Sequence, residues 1–374
     1  MLRVLYLLLP LHGLIHLIGF FYGLRGAPVG QFTGKTIVPL SAAMVRLAGV
    51  LWGVATVLFL AALVTLLLKK DWWWMIGTGA VVLSQVLIVL YWPEAKWGTL
   101  ANVIIALVLV IAWSTWRFNT MVREEVKAVL SDSATATSVI TEADLAPLPL
   151  VVQQWLRRSK VVGNPVSRTV HLHQSGLMRT TREGKWMPVS AEQYFTVDQP
   201  GFIWVADVKA APGLHLMGRD LYRDGHGHML IKALSLYPVA NNRGATVDQG
   251  TLLRYLAEIA WFPSAALAPY IKWQPVDAHR AMATMHYGDI TASGVFGFTS
   301  DGDMESFSAL RFYDRKEGAT LEPWLIKVVP GAYREFDGVR IPVRSTVTWQ
   351  LREGDLTWYQ VMIEDVKYNE AASY

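Results

Sequence analysis

The sequence predicts an N-terminal bundle of four transmembrane helices followed by an α+β, mostly antiparallel β soluble domain with one central helix. Residues 1–117 contain eight Lys/Arg and two Asp/Glu, and they hold four apolar stretches of membrane-spanning length. The rest of the chain contains 26 Lys/Arg and 28 Asp/Glu, an ordinary composition for a soluble domain. After Pro165 its apolar residues recur with a period of two, as in β-strands. We therefore assign a transmembrane domain to residues 1–117, a linker to 118–140 and a soluble domain to 141–374.

The four apolar stretches cover residues 2–24, 44–68, 73–92 and 100–116. Each is close to the length of about 20 residues that a helix needs to cross a bilayer, and tryptophans cluster near several of their ends. With four spans, both ends of this domain lie on the same side of the membrane. Six Lys/Arg flank the apolar stretches on that side, and four flank them on the other side. This bias favours an inner-membrane protein whose termini and soluble domain face the cytoplasm.

The formal net charge of +4 does not indicate a nucleic-acid partner, because the excess of positive charge lies in the apolar half. The chain has no cysteine, which excludes a thiolate nucleophile and Cys-ligated metal centres. It also lacks the glycine loops of nucleotide-binding proteins, a Gly-x-Ser-x-Gly elbow and a His-Glu-x-x-His motif. The sequence therefore predicts no cofactor, and an enzyme is less favoured than a binding protein.

The first apolar stretch contains two polar residues, His12 and His16, whose spacing of four puts them on one helical face. Ionisable groups within a membrane usually face the bundle interior. One interpretation is a metal or haem site, or a proton relay. The other is a pair of neutral imidazoles that are hydrogen-bonded to neighbouring helices, with Ser84, Gln85 and Asn102 as the nearest partners.

In the soluble half, residues 150–158 predict a short amphipathic helix, and residues 246–267 predict the central helix, bent at Pro263. Glu258 of that helix lies beside Trp261. Burial there disfavours the charged form of its carboxyl group, which could then act as a proton donor. The alternative is a Glu258–Arg254 ion pair. Arg219 and Asp220 suit an anionic head group, or else they pair with each other. The candidate ligand-binding residues are Arg179, Trp186, Gln193, Arg219, Asp220, Glu258 and Trp261.

Two histidine pairs, His171 with His173 and His226 with His228, have the i, i+2 spacing that places both rings on one face of a strand. This spacing can ligate zinc if further ligands converge. Solvent-facing histidines on polar strand faces are commoner, so we predict no metal.

Four segments resemble a known family: KWMPVSAEQYF at residues 185–195, GRDLY at 218–222, DGHGHM at 224–229 and LLRYLAEIAWFPS at 252–264. Together they resemble a bacterial family of uncharacterised proteins, classed as a domain of unknown function, over about residues 148–370. That family has no assigned activity. In shape, a curved sheet with a helix on its concave face looks like the unclosed barrel of periplasmic lipoprotein carriers. This second resemblance implies a half-barrel that holds apolar ligands. It also implies a periplasmic location, whereas the charge bias favours the cytoplasm.

We therefore expect the soluble domain to bind a lipid-like or apolar ligand near the bilayer, with membrane lipid as the other partner. A solidly filled concave side beneath residues 250–267 would count against this function. The alternatives are an enzyme with a carboxylate/histidine site, which requires those side chains to converge, and an assembly protein that docks a partner. The oligomeric state does not follow from the sequence.

Overall fold

The computed structural model describes residues 2–131 and 138–370. The chain forms two compact units, Met1–Asn119 and Thr120–Tyr374, and each is described by itself. The boundary falls inside one long helix, so the last turns of that helix belong to the second unit. Of the segment 118–140 that was predicted as a linker, residues up to Leu130 continue this helix, and residues 132–137 lie outside the described residues.

The first unit is helical, as predicted. Four segments are long and apolar enough to cross a membrane: Val4–Arg25, Ala42–Leu67, Trp73–Leu90 and Gly98–Leu130. The last of them extends beyond the fourth apolar stretch, residues 100–116, to Leu130. The helices are α1 (Leu2–Ile15), α2 (Leu17–Arg25), α3 (Ala42–Leu67), α4 (Trp73–Leu90), α5 (Trp92–Ala95) and α6 (Gly98–Leu130).

The first segment is interrupted at His16, between α1 and α2, while Pro10 lies within α1. In a regular helix the backbone N–H of His16 would donate to the carbonyl of His12. The ring Nδ1 of His16 donates to that carbonyl instead, at 2.6 Å. The backbone N–H of His16 bonds to the carbonyl of Gly13, one residue closer. A side-chain hydrogen bond therefore accompanies the local tightening of the helix.

Glycines let α2 and α3 approach closely. A Cβ built on Gly23 would lie 2.4 Å from Cα of Gly49, and a Cβ on Gly49 would lie 2.6 Å from Cα of Gly23. The obstructing atoms are backbone atoms, so they cannot move aside as a side chain can. Gly79 of α4 differs, because a Cβ there has nothing within 4 Å. Close glycine packing thus occurs at specific positions of the bundle.

The second unit is built on an antiparallel sheet of 13 strands, which confirms the predicted mostly antiparallel β domain. Two helices precede the sheet, α7 (Glu142–Leu145) and α8 (Leu150–Arg158). The strands are β1 (Thr169–Met178), β2 (Met187–Thr196), β3 (Gly201–Ala211), β4 (Leu214–Arg223), β5 (His226–Ala233), β6 (Tyr237–Arg243), β7 (Ile271–Asp277), β8 (Arg280–Tyr287), β9 (Ile290–Phe298), β10 (Met304–Tyr313), β11 (Thr320–Val328), β12 (Tyr333–Phe336), β13 (Val339–Pro342), β14 (Arg344–Leu351) and β15 (Gly354–Tyr368).

The strand order is β6-β5-β4-β3-β2-β1-β15-β14-β11-β10-β9-β8-β7, and β12 pairs with β13 separately. Two meanders therefore meet where β1 pairs with β15. The sheet curls into a half-barrel whose buried and exposed residues alternate along most strands, as in β1 and β14.

The central helix α9 (Ala245–Glu258) crosses the concave face and packs mainly against β5 and β9, from opposite halves of the sheet. Two short 3₁₀ turns follow it, Ile259–Trp261 and Pro263–Leu267. The α-helix thus ends at Glu258, before the end of the helix that the sequence predicts over residues 246–267. Pro263 opens the second turn, where its missing N–H costs no hydrogen bond. The helix lies on the core with fully buried Leu252, Leu253, Tyr255 and Leu256.

Candidate functional site

The interior of the half-barrel contains a buried ion pair on the central helix. Arg254 donates from Nε to Oε1 of Glu258 at 2.7 Å and from Nη1 to Oδ2 of Asp220, on β4, at 2.6 Å. Its guanidinium also lies over the rings of Phe202 and Trp204, at 5.1 and 5.0 Å from their centres. The Glu258–Arg254 pair that the sequence offered as an alternative is therefore present, and Asp220 extends it.

Amide side chains connect this ion pair to the middle of the sheet. Gln193 of β2 donates from Nε2 to Oε2 of Glu258 at 2.7 Å. Gln174 of β1 donates to Oε1 of Gln193 at 3.1 Å and accepts from the indole N–H of Trp204 at 2.9 Å. The network thus crosses the interior from β3 to α9. Connected networks of this kind help to fix side chains in the core.

The ionisation of the pair follows from its burial and its partners. Burial raises the pKa of Glu258, and the attraction of Arg254 and the hydrogen bonds from Arg254 and Gln193 offset only part of this effect. Burial also disfavours the charged form of Arg254, but the attraction of Glu258 and then of Asp220 outweighs it and raises the pKa of Arg254. Because donors hold both oxygens of Glu258, its carboxyl group is fixed in place and does not resemble a proton donor waiting for substrate.

A second arginine nearby has no such partners. Arg311 of β10 is half-buried, and its guanidinium lies over the rings of Trp324 and Trp349, at 4.7 and 5.8 Å from their centres. It passes beneath α9 at Gly250, where a Cβ would lie 3.6 Å from Nε of Arg311. Arg311 makes no ion pair and no hydrogen bond with any residue in the described parts of the chain.

Two further features mark the surroundings of Arg311. The indole N–H of Trp324 is buried and has no hydrogen-bond partner among the described residues. Burial, followed by repulsion from Arg254, lowers the pKa of Arg311 to about 10, so the guanidinium remains charged at neutral pH. Two kinds of donor therefore lie close together without a hydrogen bond among the described residues, although buried donors in proteins are usually satisfied.

The same end of the half-barrel has a partly exposed apolar lining. The strand pairing places Met178 opposite both Met187 and Tyr359, and Trp349 opposite both Trp324 and Leu356. Half-buried apolar side chains pack against the core at this end, which we call the rim: Met178, Met187, Leu216, Tyr313 and Trp358.

Six of the seven predicted ligand-binding residues fall into three places. Arg179 and Trp186 lie at the rim, where the guanidinium of Arg179 is 4.5 Å from the ring centre of Trp186. Gln193, Asp220 and Glu258 belong to the buried network. Trp261 lies in the core after α9, and its backbone carbonyl accepts a hydrogen bond from Tyr368.

Arg219 was grouped with Asp220 on the basis of the sequence, but it occupies the opposite, convex face of β4. Successive residues of a strand point to opposite faces, so adjacent residues cannot share a side. Nε of Arg219 lies 3.0 Å from Oε2 of Glu125, in the last turns of α6. Its Nη1 donates to the backbone carbonyl of His228 at 2.8 Å. Arg219 and His228 therefore meet on the convex face, whereas Glu258 and Asp220 lie in the interior, so the residues of the alternative carboxylate/histidine site are divided between two faces of the sheet.

The helical unit has a polar cluster of its own. His12 donates from Nε2 to Oδ1 of Asn102 at 2.9 Å, and His16 Nε2 lies 2.8 Å from Oγ of Ser84. Asn102 donates from Nδ2 to Ser84 and to Gln85, each at 3.0 Å. These contacts are consistent with two neutral imidazoles if Ser84 donates to His16. They contain the three partners that the sequence indicated, and they support the structural interpretation of the pair.

These features define a class of protein: four helices apolar enough to cross a membrane, followed by an antiparallel half-barrel whose apolar core contains a buried polar network. The profile of a family of unknown function (DUF6544) matches residues 138–361, and the chain belongs to that family. This match confirms the resemblance noted in the sequence. A search of curated proteins finds no match.

Two solved structures are similar at a low level. A DUF1329 family protein from Desulfovibrio piger has 11% identity and a TM-score of 0.35, covering 61% of this chain and 95% of its own. A domain from Vibrio parahaemolyticus, named for outer membrane lipoprotein sorting, has 9% identity and a TM-score of 0.35, covering 60% of this chain and 92% of its own. These values are too low to transfer a function, so the function is argued from the side chains.

Proposed function

We propose that this chain is a multi-pass protein of the bacterial inner membrane whose β domain binds a lipid-like ligand with an anionic head group. Arg311 is the observation that carries the proposal. It is a charged, half-buried guanidinium between aromatic rings, and it makes no ion pair or hydrogen bond in the described residues, although Asp220 and Glu258 attract it from a distance. A guanidinium presents a fork of donors that fits a carboxylate or phosphate.

The filled space beneath residues 250–267 counts against the ligand site expected from the sequence, so the site proposed here is a different one. Leu252, Leu253, Leu256, Ile259 and Phe262 are fully buried in the core cluster, so side chains fill the space directly beneath the central helix. A ligand buried there would have to displace them. At the rim, half-buried Met, Tyr and Trp side chains offer an apolar lining at the same end of the sheet, and Tyr313 lies two residues from Arg311 on β10. The head group would meet Arg311 while the chain follows the rim.

The proposal is tested by titrating the full-length chain, held in amphipol so that no free micelles compete, with decanoate and with decanol. These probes share a chain length and differ in charge. Isothermal titration should show tighter binding of decanoate, and Arg311→Gln should weaken it about ten- to hundredfold, the range for a charge-assisted hydrogen bond. Decanol binding should change little.

Arg344→Gln is the matched control, because Arg344 is an exposed arginine of the same sheet. Both variants are first compared with the unchanged protein by thermal unfolding. The proposal is wrong if decanoate does not bind, if it binds no better than decanol, or if Arg311→Gln binds it as well as the control does. The last result is also expected if a bridging water, rather than a ligand, connects the donors to Oδ1 of Asp220, a buried acceptor without a partner among the described residues.

A further inference from the structure

Three potential metal ligands meet on the convex face of the sheet, away from Arg311. His171 and His173 lie on β1, with the i, i+2 spacing noted in the sequence. The pairing of β1 with β2 places His173 opposite Glu192 and His171 opposite Tyr194. One ligand atom from each of His171, His173 and Glu192 lies within 4.8 Å of the other two. The third ligand, which sequence spacing could not show, therefore comes from the neighbouring strand.

The distances between these atoms suit a small divalent ion. Nε2 of His171 lies 3.8 Å from Oε2 of Glu192, and Nδ1 of His173 lies 3.6 Å from Oε1. Zinc binds imidazole nitrogen and carboxylate oxygen at about 2.0–2.2 Å, so adjacent ligands in a tetrahedral site are roughly 3.4 Å apart. Both observed distances are too long for hydrogen bonds. The two distances involve different oxygens of Glu192, and the three ligand atoms lie within 4.8 Å of one another, so side-chain rotations would bring one atom of each residue onto one ion.

The arrangement is held in place before any ion binds. The ring of His171 stacks on Tyr194, with 4.2 Å between ring centres and 6° between planes. The hydroxyl of Tyr194 donates to Oε2 of Glu192 at 3.1 Å, as partners of metal ligands commonly do. Nε2 of His171 is buried and has no hydrogen-bond partner in the part of the chain that the structure describes. A ring nitrogen in that state is available to a metal ion.

We propose that His171, His173 and Glu192 bind a divalent transition-metal ion of the zinc class. Two imidazoles and one carboxylate are ligands that zinc accepts, and three protein ligands leave a coordination position open to water or to an anionic group. The ion would join β1 to β2 on the face where Tyr194 packs beside Val126 and Val129, in the last turns of α6. This proposal is independent of the ligand site at Arg311 and revises the expectation of no metal.

The test is isothermal titration of Zn²⁺ into the full-length, untagged protein after treatment with EDTA. One ion should bind per chain, and His173→Gln and Glu192→Gln should each weaken that site at least tenfold. His279→Gln is the control, because His279 is exposed and lies outside the cluster. The thermal unfolding of each metal-free variant is compared first, and the exposed position of the cluster makes all three variants tolerable.

A second measurement uses Co²⁺ in place of Zn²⁺. The visible absorption of a four-coordinate Co²⁺ centre should appear on titration of the unchanged protein and of His279→Gln, and should be lost in the other two variants. The proposal is overturned if Zn²⁺ does not bind, or if it binds equally well to His173→Gln, Glu192→Gln and the control. In that case the three side chains form only exposed His–Glu ion pairs.

Discussion

Replacing Arg254 by methionine is expected to lower the free energy of unfolding of the β domain by about 3–5 kcal/mol, the cost of breaking a buried ion pair on one side. Arg254 is the shared partner of Glu258 and Asp220, and both carboxylates are buried. Methionine retains much of the volume and removes the charge. The two carboxylates would then lie in the core without a counterion, or one would have to take up a proton.

This effect is best measured by hydrogen exchange in the full-length protein. Peptides from the β domain report the free energy of unfolding of that domain alone, without a contribution from the helical unit. Arg344→Met is the matched control and should cost less than about 0.5 kcal/mol, as surface substitutions usually do. The double variant Arg254→Met with Glu258→Gln should recover part of the loss, since only one carboxylate remains unpaired. A loss below about 1 kcal/mol in the single variant would show that the ion pair is not essential to the core.

The second large effect is expected in the helical unit. Gly49→Leu should destabilise the bundle by about 3 kcal/mol, at the upper end of costs for overpacking. The new side chain would meet the backbone of Gly23, so α2 and α3 must separate. Gly79→Leu is the control. It adds the same side chain to α4 with nothing within 4 Å of the new Cβ, and it should be neutral or slightly stabilising because leucine favours helices.

Thermal unfolding in a mild detergent compares the two glycine variants. A fall in midpoint for Gly49→Leu, without one for Gly79→Leu, is the expected pattern. Equal midpoints would mean that the close approach of α2 and α3 does not contribute to stability. Equal losses would instead indicate that any leucine added to the bundle is harmful, whatever its local contacts.

Much of the architecture could be predicted from local patterns. Four apolar stretches of the right length identify four helices, and period-two alternation with turn residues identifies an antiparallel sheet. The interruption at His16 could not be predicted, because it arises where one ring nitrogen of His16 donates a hydrogen bond to the backbone carbonyl of His12. The end of α9 at Glu258 was also missed, since the segment up to Leu267 continues in tighter 3₁₀ turns.

The candidate site was predicted less completely, for reasons that are also physical. Gln193, Asp220 and Glu258 were selected, and the structure joins them. Arg219 should have been separated from Asp220 by strand alternation alone. The sequence contains a pattern that could have identified Arg311. Arg311 shares a strand face with Phe307, Ala309 and Tyr313, where a charged residue is unexpected.

Long-range pairing accounts for what no local pattern could show. Glu192 joins His171 and His173 only because β2 pairs with β1 in one particular register. Trp324 and Trp349 face each other across β11 and β14, two strands separated in the chain by the β12–β13 hairpin. A shift of one residue in either pairing would move these side chains to opposite faces of the sheet.

The open sheet also bears on self-association. A half-barrel has two free edges, here β6 and β7, and a free edge is a template for strands of other chains. Each edge strand contains a proline, Pro238 or Pro275, which has no N–H to offer, and each pairing has a register shift next to it. An incoming strand would find an interrupted ladder on both sides. The prolines and register shifts thus disfavour extension of the unclosed sheet by strands of another copy.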